Sequence, residues 1–438
     1  MDSNLPASLL ITFIVIGAGI SGLACSYTLR EAGHEVLLLE ATDGATKTKG
    51  GIRSPPNMTR ILKEWPGMTT LLEQRATKCS GVSFKRGDTL ETVGFMKLYE
   101  QIMSELEADF LILQHNDLRQ HLTSICLSSG VVIEYGCQVV GAKLTDDDSV
   151  NIVVADGRTL HGDVVIGADG HNSLVRGIVT DEVLEPTHTV TGANITISKE
   201  VLQEHPEFQA LWNPNEYTLW MGNGSMISGT LDTDAETLNI SICTPTNLGI
   251  TEGSLVNKMP FDLLGYDSRL QKMIQLGCKH WLTVQQVFDQ EDIVGLEGTA
   301  VLVGDAAHSA MIHGSYNSAM AIEDAVTLGR LFSRLSKRKQ IPFMLNAYQE
   351  IRQPRTSTTQ ASEHRSLIQI SLPSGALQQV RDTALQASLN AAFEDFENCP
   401  SETLQQAWED YLVLFSHNAS EAVQNWWSMW GAAIDEMA

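Results

Sequence analysis

The chain has 438 residues, of which 43% are hydrophobic and 19% charged, and its formal net charge at pH 7 is -24. This length predicts two or three domains, since domains contain about 100 to 200 residues each. The acidic excess argues against nucleic acid or an anionic membrane as a partner, because such a surface repels phosphate groups. The cysteines form no C-x-x-C pair, which indicates a reducing, cytoplasmic location and predicts no disulfide framework and no metal site.

A nucleotide-binding pattern lies at the start of the chain. Residues 11–16 are an apolar run, too short to span a bilayer, and they lead into Gly17-Ala18-Gly19-Ile20-Ser21-Gly22. A helical pattern and a second apolar run, residues 36–39, then lead to Glu40. Strand, glycine turn, helix and a later acidic residue form a dinucleotide-binding unit, in which the glycines let the backbone approach a pyrophosphate. We expect Glu40 to bind the adenosine ribose; the pattern alone does not distinguish FAD from NAD.

Two later turns also follow short apolar runs. Residues 164–167 lead into Ala168-Asp169-Gly170, followed by Ser173, Val175 and Arg176. Residues 301–303 lead into Gly304-Asp305-Ala306-Ala307-His308 and then into a helix with Ile322-Glu323-Asp324-Ala325. With these three motifs in this order, the sequence resembles the group A flavin aromatic hydroxylases, the family of the p-hydroxybenzoate and salicylate hydroxylases. The resemblance extends from residue 11 to about residue 365 and includes the segment 51–57 and the pattern Tyr348-x-x-x-Arg352-x-Pro354-Arg355.

The predicted fold class is α/β, with a Rossmann-like FAD-binding domain of the p-hydroxybenzoate hydroxylase type, a β-sheet substrate domain and a C-terminal helical segment. We expect a discontinuous FAD domain at residues 1–78, 105–178 and 281–365. Residues 79–104 and 179–280 are expected to form the substrate domain, because residues 187–197, 217–221, 226–231 and 238–243 alternate like strands. Residues 366–438 are predicted to be helical; their aromatic side chains include Trp408, Tyr411 and Phe415, four or fewer residues apart.

The resemblance implies FAD as cofactor, NADPH or NADH as co-substrate, and molecular oxygen. It places Asp169 at the FAD pyrophosphate, Asp305 at the ribityl chain, and Ser318 and the loop with Arg53 near the flavin. An arginine that contacts FAD in the family is replaced by His115 here, and Arg119 is close enough to substitute for it, so both are candidates. His308 is interpreted as a structural hydrogen-bond partner rather than as an acid or base.

On the substrate side the sequence departs from the family. A histidine that reaches the substrate in salicylate hydroxylase-like relatives matches His313, which could accept a phenol proton or could be a buried structural histidine. We also include Tyr316, three residues on, among the expected catalytic residues. The strand at residues 192–197 lacks the family's substrate-binding arginine, so Arg53 is the remaining cation for a substrate carboxylate or for catalysis.

The family chemistry implies an enzyme that hydroxylates a phenolic or hydroxybenzoate-type small aromatic substrate through a flavin hydroperoxide. Decarboxylative hydroxylation is an open variant, and a role in secondary metabolism is expected. One alternative is a flavin-dependent epoxidase of an indole or alkene, and another is a non-catalytic binding protein on the same fold. No transmembrane segment is expected, and the chain is predicted to be a monomer or a homodimer.

Overall fold

The structure is a computed structural model. It describes residues 6–45, 50–146, 148–180, 188–232, 237–245, 255–256, 261–287, 292–308, 314–392, 408–409 and 411–437. Its strands are β1 Thr12–Ile16, β2 Glu35–Glu40, β3 Gly51–Ser54, β4 Thr77–Lys78, β5 Gly81–Arg86, β6 Thr92–Lys97, β7 Leu111–Gln114, β8 Val132–Tyr135, β9 Val139–Leu144, β10 Val150–Val154, β11 Thr159–Gly162, β12 Val164–Gly167, β13 His188–Ile197, β14 Glu216–Met221, β15 Met226–Asp232, β16 Thr237–Thr244, β17 Leu255–Val256, β18 Cys278–Val287, β19 Val294–Gly295 and β20 Ala300–Leu302.

The α-helices are mostly on either side of the strands of the first sheet or in the C-terminal part. They are α1 Ile20–Glu31, α2 Pro56–Lys63, α3 Met68–Arg75, α4 Glu100–Glu105, α5 His115–Ser129, α6 Leu174–Thr180, α7 Lys199–Glu204, α8 Ser268–Leu276, α9 Asn317–Phe332, α10 Ile341–Ile370, α11 Ala376–Ala392 and α12 Ala419–Met437. Short 3-10 turns occur at Pro206–Leu211, Leu296–Gly298, Gly304–Ala306 and Arg338–Gln340. Among the residues described, no helix combines the length and apolar character needed to cross a membrane.

The first sheet has six strands in the order β19-β20-β12-β1-β2-β8. Apart from β19, all of them are parallel. Helices cover such a sheet on both faces, which is why β12 is buried throughout and β1 is apolar and buried after its first residue, Thr12. The carboxyl ends of β1, β12 and β20 lie at one edge of the sheet, where ligands bind in open α/β folds. The three predicted turns therefore meet at this edge, and the predicted Rossmann-like fold is confirmed.

The second large sheet has eight strands in the order β17-β18-β13-β16-β15-β14-β5-β6. Strands β13 to β16 coincide with the four stretches in which the sequence alternates. Strands β5 and β6 come from the earlier part of the chain and join the sheet where β5 pairs in parallel with β14. Strand β18 continues to Val287, beyond the predicted boundary at residue 280. The exact division into domains remains a prediction.

A three-stranded sheet, β3-β7-β4, connects the two large sheets. Strand β3 carries Arg53 and follows the first nucleotide-binding unit. A Cβ atom on Gly51 would lie 3.1 Å from the Thr230 hydroxyl of β15, so β3 lies directly against the eight-stranded sheet. This contact places Arg53 between the nucleotide-binding sheet and the sheet that covers it.

The C-terminal part is helical, as predicted. Residues 408–409 and 411–415 are helical and are followed by α12. Trp408 and Phe415 are 2% and 1% exposed, whereas Trp430 in α12 is 54% exposed. The predicted aromatic face of residues 408–415 is therefore packed on the body of the protein, and α12 is buried on one side only.

Candidate active site

The first glycine turn is built for close contact with the second. Gly17 has a φ of +105°, and a Cβ atom there would lie 2.4 Å from the carbonyl oxygen of Ala168. A Cβ atom on Gly22 would lie 1.9 Å from the carbonyl oxygen of Gly17, so the helix packs against its own turn only with glycine there. Around Gly19, by contrast, no described atom would lie within 4 Å of a Cβ. The backbone at Gly19, just before Ile20 and Ser21 in the first turn of α1, therefore has open space on the side that a Cβ would occupy.

Glu40 lies at the carboxyl end of β2, beside this turn. Its Oε2 accepts a hydrogen bond from the Ala18 backbone N–H at 2.8 Å. Its Oε1 accepts from the backbone N–H and the hydroxyl of Thr42, at 2.9 and 2.7 Å. The carboxylate is thus fixed next to the glycine turn, in the place from which the sequence predicts that it binds ribose.

Asp169 organises the second turn. Its carboxylate accepts from the Ser173 hydroxyl and from the backbone N–H groups of Leu174 and Val175, the last two at 2.8 and 3.2 Å. These bonds satisfy donors at the start of α6, as a capping side chain does. The side chain therefore shapes the turn by capping the helix, and its place at the FAD pyrophosphate stays a prediction.

Arg176, which follows this turn, connects it to the third one. Its guanidinium donates to the carbonyl oxygens of Ala306 and Asp305, both at 2.9 Å, and to that of His171 at 2.8 Å. Burial lowers the pKa of Arg176, and Asp169 and Asp305 oppose this effect. The sequence reasoning treated Arg176 only as part of a pattern. In the structure it holds the Gly304-Asp305 turn in place.

The third turn requires glycine at its first position. Gly304 has a φ of +57°, and a Cβ atom there would lie 2.7 Å from the Cβ of Ser21. Its backbone N–H donates to Oδ2 of Asp324 at 2.9 Å. The next residue, Asp305, is half-buried, and burial raises its pKa against the opposing effects of nearby His308, His171 and Arg176.

A buried charged cluster stands behind this turn, and we call it the α9–α10 cluster: Glu323, Asp324, Arg352 and Arg355. Arg352 donates to Asp324 at 2.7 Å and to Glu323 at 2.8 Å, and Arg355 donates to Glu323 at 3.1 Å. Burial alone would raise the pKa of Glu323, but Arg352 and Arg355 lower it to about 2. Two carboxylates thus balance two guanidinium groups, which is the condition for burying charge.

Two motif residues join this cluster from other segments. His308 Nε2 lies 2.7 Å from Oδ2 of Asp324, and the histidine is 7% exposed. This contact is the structural partnership expected of His308. The Asn57 amide donates to Glu323 at 2.8 Å, so the start of α2 is attached to α9 as well.

Arg53, which the sequence analysis expects on the substrate side, lies where β3, β14 and the segment before α9 meet. The Arg53 guanidinium donates to the Gly314 carbonyl oxygen at 2.6 Å and lies 4.5 Å above the ring of Tyr217. Glu363 of α10 faces the same segment: its Oε1 accepts from the backbone N–H groups of Ser315 and Tyr316 at 2.6 and 3.1 Å. Burial raises the pKa of Glu363 to about 7, while these two bonds and Arg53 oppose the increase. The sequence reasoning did not identify Glu363 or Tyr217.

Tyr316, one of the expected catalytic residues, is buried, and its catalytic role stays a prediction. It is 5% exposed, and its ring lies 6.1 Å from that of Phe415 in the C-terminal segment. Burial, with Tyr411 and Glu363 nearby, raises its pKa well above the usual value, so the phenol resists ionisation. The structure thus makes Tyr316 a core residue. Ser318 lies half-buried in the first turn of α9, and the expected base His313 falls outside the described residues.

Residues 11–232 match the family described as the FAD binding domain. The chain belongs to this family. It is 26% identical to the FAD-dependent monooxygenase atnJ of Arthrinium sp over 86% of this chain and 88% of the relative. It is 25% identical to the 3-amino-4-hydroxybenzoate 2-monooxygenase PtmB3 of Streptomyces platensis, over 85% of this chain and 91% of that protein.

The fold is also that of a solved salicylate hydroxylase in complex with its substrate, with a TM-score of 0.68 and 16% identity over 94% of this chain and 97% of the other. The protein is therefore an FAD-dependent monooxygenase of the aromatic hydroxylase family, and FAD is its cofactor.

The residues at the turns fit FAD. Open space surrounds Gly19 at the N-terminus of α1, where the helix dipole and free N–H groups favour a pyrophosphate. The buried Nδ1 of His115 has no hydrogen-bond partner among the residues described. Burial and the nearby Arg119 lower the pKa of His115 to about 4, so its ring is neutral. Arg119 donates to the carbonyl oxygen of Gly44 at 3.2 Å. His115 thus offers an uncommitted polar atom to the cofactor.

Proposed function

We propose that this protein is an NAD(P)H-consuming monooxygenase that hydroxylates a small phenol, with no carboxylate required on the ring. When bound, FAD supplies the activation of molecular oxygen at the expense of NAD(P)H. In the overall reaction an aromatic C–H becomes C–OH, NAD(P)H and a proton are consumed, and the second oxygen atom leaves as water. The relative that is named for its action on 3-amino-4-hydroxybenzoate supports an aromatic substrate.

The observation that carries the proposal is the environment of Arg53. A substrate carboxylate needs a cation, and Arg53 was the candidate left by the sequence. Its guanidinium already donates to Gly314, lies over Tyr217 and is close enough to lower the pKa of Glu363. A second carboxylate there would bring like charges together in a partly buried site, which is unfavourable. A neutral phenol meets no such cost.

The protein's own contribution is to position the substrate and to exclude water from the reactive centre. The eight-stranded sheet covers β3, and Tyr217 on β14 is 5% exposed at this junction. Such a cover keeps solvent from a reactive centre. His313, which lies outside the described residues, remains the proposed acceptor of the phenol proton, since a neutral imidazole can act as a base.

The direct test uses purified protein supplied with FAD. NADPH and NADH oxidation should be measured with paired compounds, each phenol beside the same phenol with a ring carboxylate, and the product analysed after reaction under ¹⁸O₂. We expect neutral phenols to stimulate oxidation and to gain a single ¹⁸O atom. The proposal would be overturned if the protein bound no flavin or if no product contained ¹⁸O. An epoxide product would indicate the alkene-oxidising alternative.

The role of Arg53 is tested with Arg53→Met and Arg53→Lys. If Arg53 orders the site, Arg53→Met lowers kcat/KM for both members of each pair to a similar extent, and lysine restores part of the loss. A rise in KM confined to the carboxylated members would instead identify Arg53 as a carboxylate anchor.

A further inference from the structure

Glu363 is a buried carboxyl group that lies outside every sequence motif of the flavin site. It stands on α10 two turns after Arg355 and is 8% exposed. Its Oε1 receives two backbone N–H groups, those of Ser315 and Tyr316. A Cβ atom on Gly314 would lie 2.5 Å from its other oxygen, Oε2. The carboxyl group therefore fits tightly around the segment 314–317, which leads into α9.

Three structural elements besides α10 bring charged or titratable groups towards Glu363. Strand β3 contributes Arg53, strand β14 contributes Tyr217, and the segment 314–317 contributes Tyr316. Arg355, on α10 itself, is committed to Glu323 of the α9–α10 cluster. The N–H groups of Ser315 and Tyr316, together with Arg53, thus stabilise a negative charge on Glu363, and burial opposes that charge.

We propose that Glu363 is a positioning residue whose negative charge fixes the segment 314–317, and thereby the start of α9 beside the flavin ring, so that protonation of Glu363 loosens the site. This inference rests on the proposed function, because it assigns a regulator to the same reaction. Its physical basis is geometric: one oxygen holds two consecutive N–H groups, and the other lies against the Cα of Gly314.

The protonation state matters because a carboxylate accepts hydrogen bonds more strongly than a neutral carboxyl group does. Burial raises the pKa of Glu363 to about 7, so both states are populated near neutral pH. Above this pH, the charged form binds both N–H groups firmly and costs the fold free energy through desolvation. Below it, the neutral form relieves that cost and weakens its hold on the segment.

The first test needs no flavin. The pKa of a Glu with an ordinary value of 4.5 is raised on folding, so the folded chain binds more protons than the unfolded chain between these two values. Wild-type stability therefore falls, relative to a neutral variant, as pH rises from about 4.5 to 7. We expect the Tm of Glu363→Gln minus that of the wild type to be clearly more positive at pH 8 than at pH 5. A difference that does not change with pH would overturn the inference.

The matched control is Glu350→Gln on the same helix. Glu350 is exposed and accepts a hydrogen bond from the Trp426 indole at 2.8 Å. Because exposed carboxylates gain little from folding, its Tm difference should be nearly the same at both pH values. The comparison separates the buried charge of Glu363 from a general effect of replacing glutamate by glutamine in α10.

The second test measures the flavin absorbance and the activity of the FAD-loaded enzyme. The flavin absorbance band and kcat of the wild type should both change with pH, with an apparent pKa near 7. Glu363→Gln should resemble the acid form at every pH, with a lower kcat and an aromatic KM changed much less. A band that still titrates in Glu363→Gln, or a loss confined to KM, would contradict a positioning role.

Gly314→Ala tests the contact from the opposite side and serves if Glu363→Gln does not fold. Its Cβ would displace Oε2, so it should also flatten the pH dependence, and the double variant should show less than the sum of the two effects. Additive effects would argue against the contact. If the wild type takes up no FAD, the proposed function fails, whereas the flavin-free Tm comparison still decides the inference on Glu363.

Discussion

The flavin turns and the segment 314–317 lie close together but are held in different ways. At the turns, motif residues bind one another: Gly304 binds Asp324, His308 binds Asp324, and Arg352 binds both carboxylates of the α9–α10 cluster. At the segment, the contacts come from Arg53, Glu363 and Phe415, which belong to three distant parts of the chain. The turns are therefore held by residues that belong to the motifs, whereas the segment 314–317 is held mainly by residues outside them.

The difference also concerns charge. The carboxylates behind the turns are paired with arginines, and the resulting low pKa of Glu323, about 2, keeps it charged at any working pH. Glu363 is paired less completely, and burial raises its pKa to about 7. The two carboxyl groups are therefore expected to respond differently to pH near neutrality.

The largest effect is expected when the α9–α10 cluster loses its central cation. Arg352→Ala leaves the buried Asp324 without its guanidinium and removes one of the two guanidinium groups that bind Glu323. Breaking a buried ion pair in this way costs about 3 to 5 kcal/mol, so we expect a large loss in the free energy of unfolding, measured by urea denaturation. The control is Arg158→Ala, whose guanidinium binds Glu134 and Asp156 at the surface and should change the free energy of unfolding far less. Equal losses would mean that the cluster does not support the turns.

The second effect concerns the glycine turn. Gly22→Ala puts a Cβ 1.9 Å from the Gly17 carbonyl oxygen, so the turn has to move. Overpacking of this kind costs about 1 to 3 kcal/mol, which corresponds to FAD binding weakened by about 5- to 150-fold if the strain falls on the bound state. Flavin fluorescence titration measures this loss. Gly177→Ala in α6 meets open space and should bind FAD like the wild type.

The third effect is smaller and concerns His115. If its buried Nδ1 contacts FAD, His115→Ala removes one neutral hydrogen bond, worth about 0.5 to 1.5 kcal/mol, or an affinity loss of about 2- to 10-fold. The pKa of His115 is about 4, so this loss should be the same at pH 6 and pH 8. Arg119→Met is the matching variant, because the sequence leaves both His115 and Arg119 as candidates for the FAD contact. A loss with Arg119→Met alone would assign the contact to the arginine.

Much of the cofactor region could be predicted from sequence because its signals are local. A buried parallel strand is a short apolar run, and a turn at its end needs glycine where a Cβ would collide, as at Gly22 and Gly304. Asp169 shows what a local sequence pattern does not predict. Its place in the motif was predicted, but its bonds to the start of α6 depend on where the helix begins.

The substrate side could not be predicted in the same way. Glu363 lies 48 residues from Ser315 in sequence, and nothing in the helical pattern of α10 marks one glutamate as buried. Tyr316 was placed in the site because of its neighbours in sequence. Its burial depends on Phe415, almost a hundred residues later. The burial of Tyr316 follows from tertiary packing on the C-terminal segment, which no local sequence pattern shows.

The smallest effect is expected for Tyr316→Phe, and it separates the two interpretations of that residue. A core residue keeps its ring contact with Phe415 when the hydroxyl is removed, so kcat should change by no more than about threefold, whereas loss of an acid or base costs about 100-fold or more. Tyr316→Ala should instead lower the free energy of unfolding by about 3 to 5 kcal/mol, since it empties a buried site. Stopped-flow hydroxylation for the first variant and urea denaturation for the second measure these effects. A large loss of kcat in Tyr316→Phe with unchanged stability would return the tyrosine to catalysis and show that the segment 314–317 presents both its backbone and its side chains to the substrate.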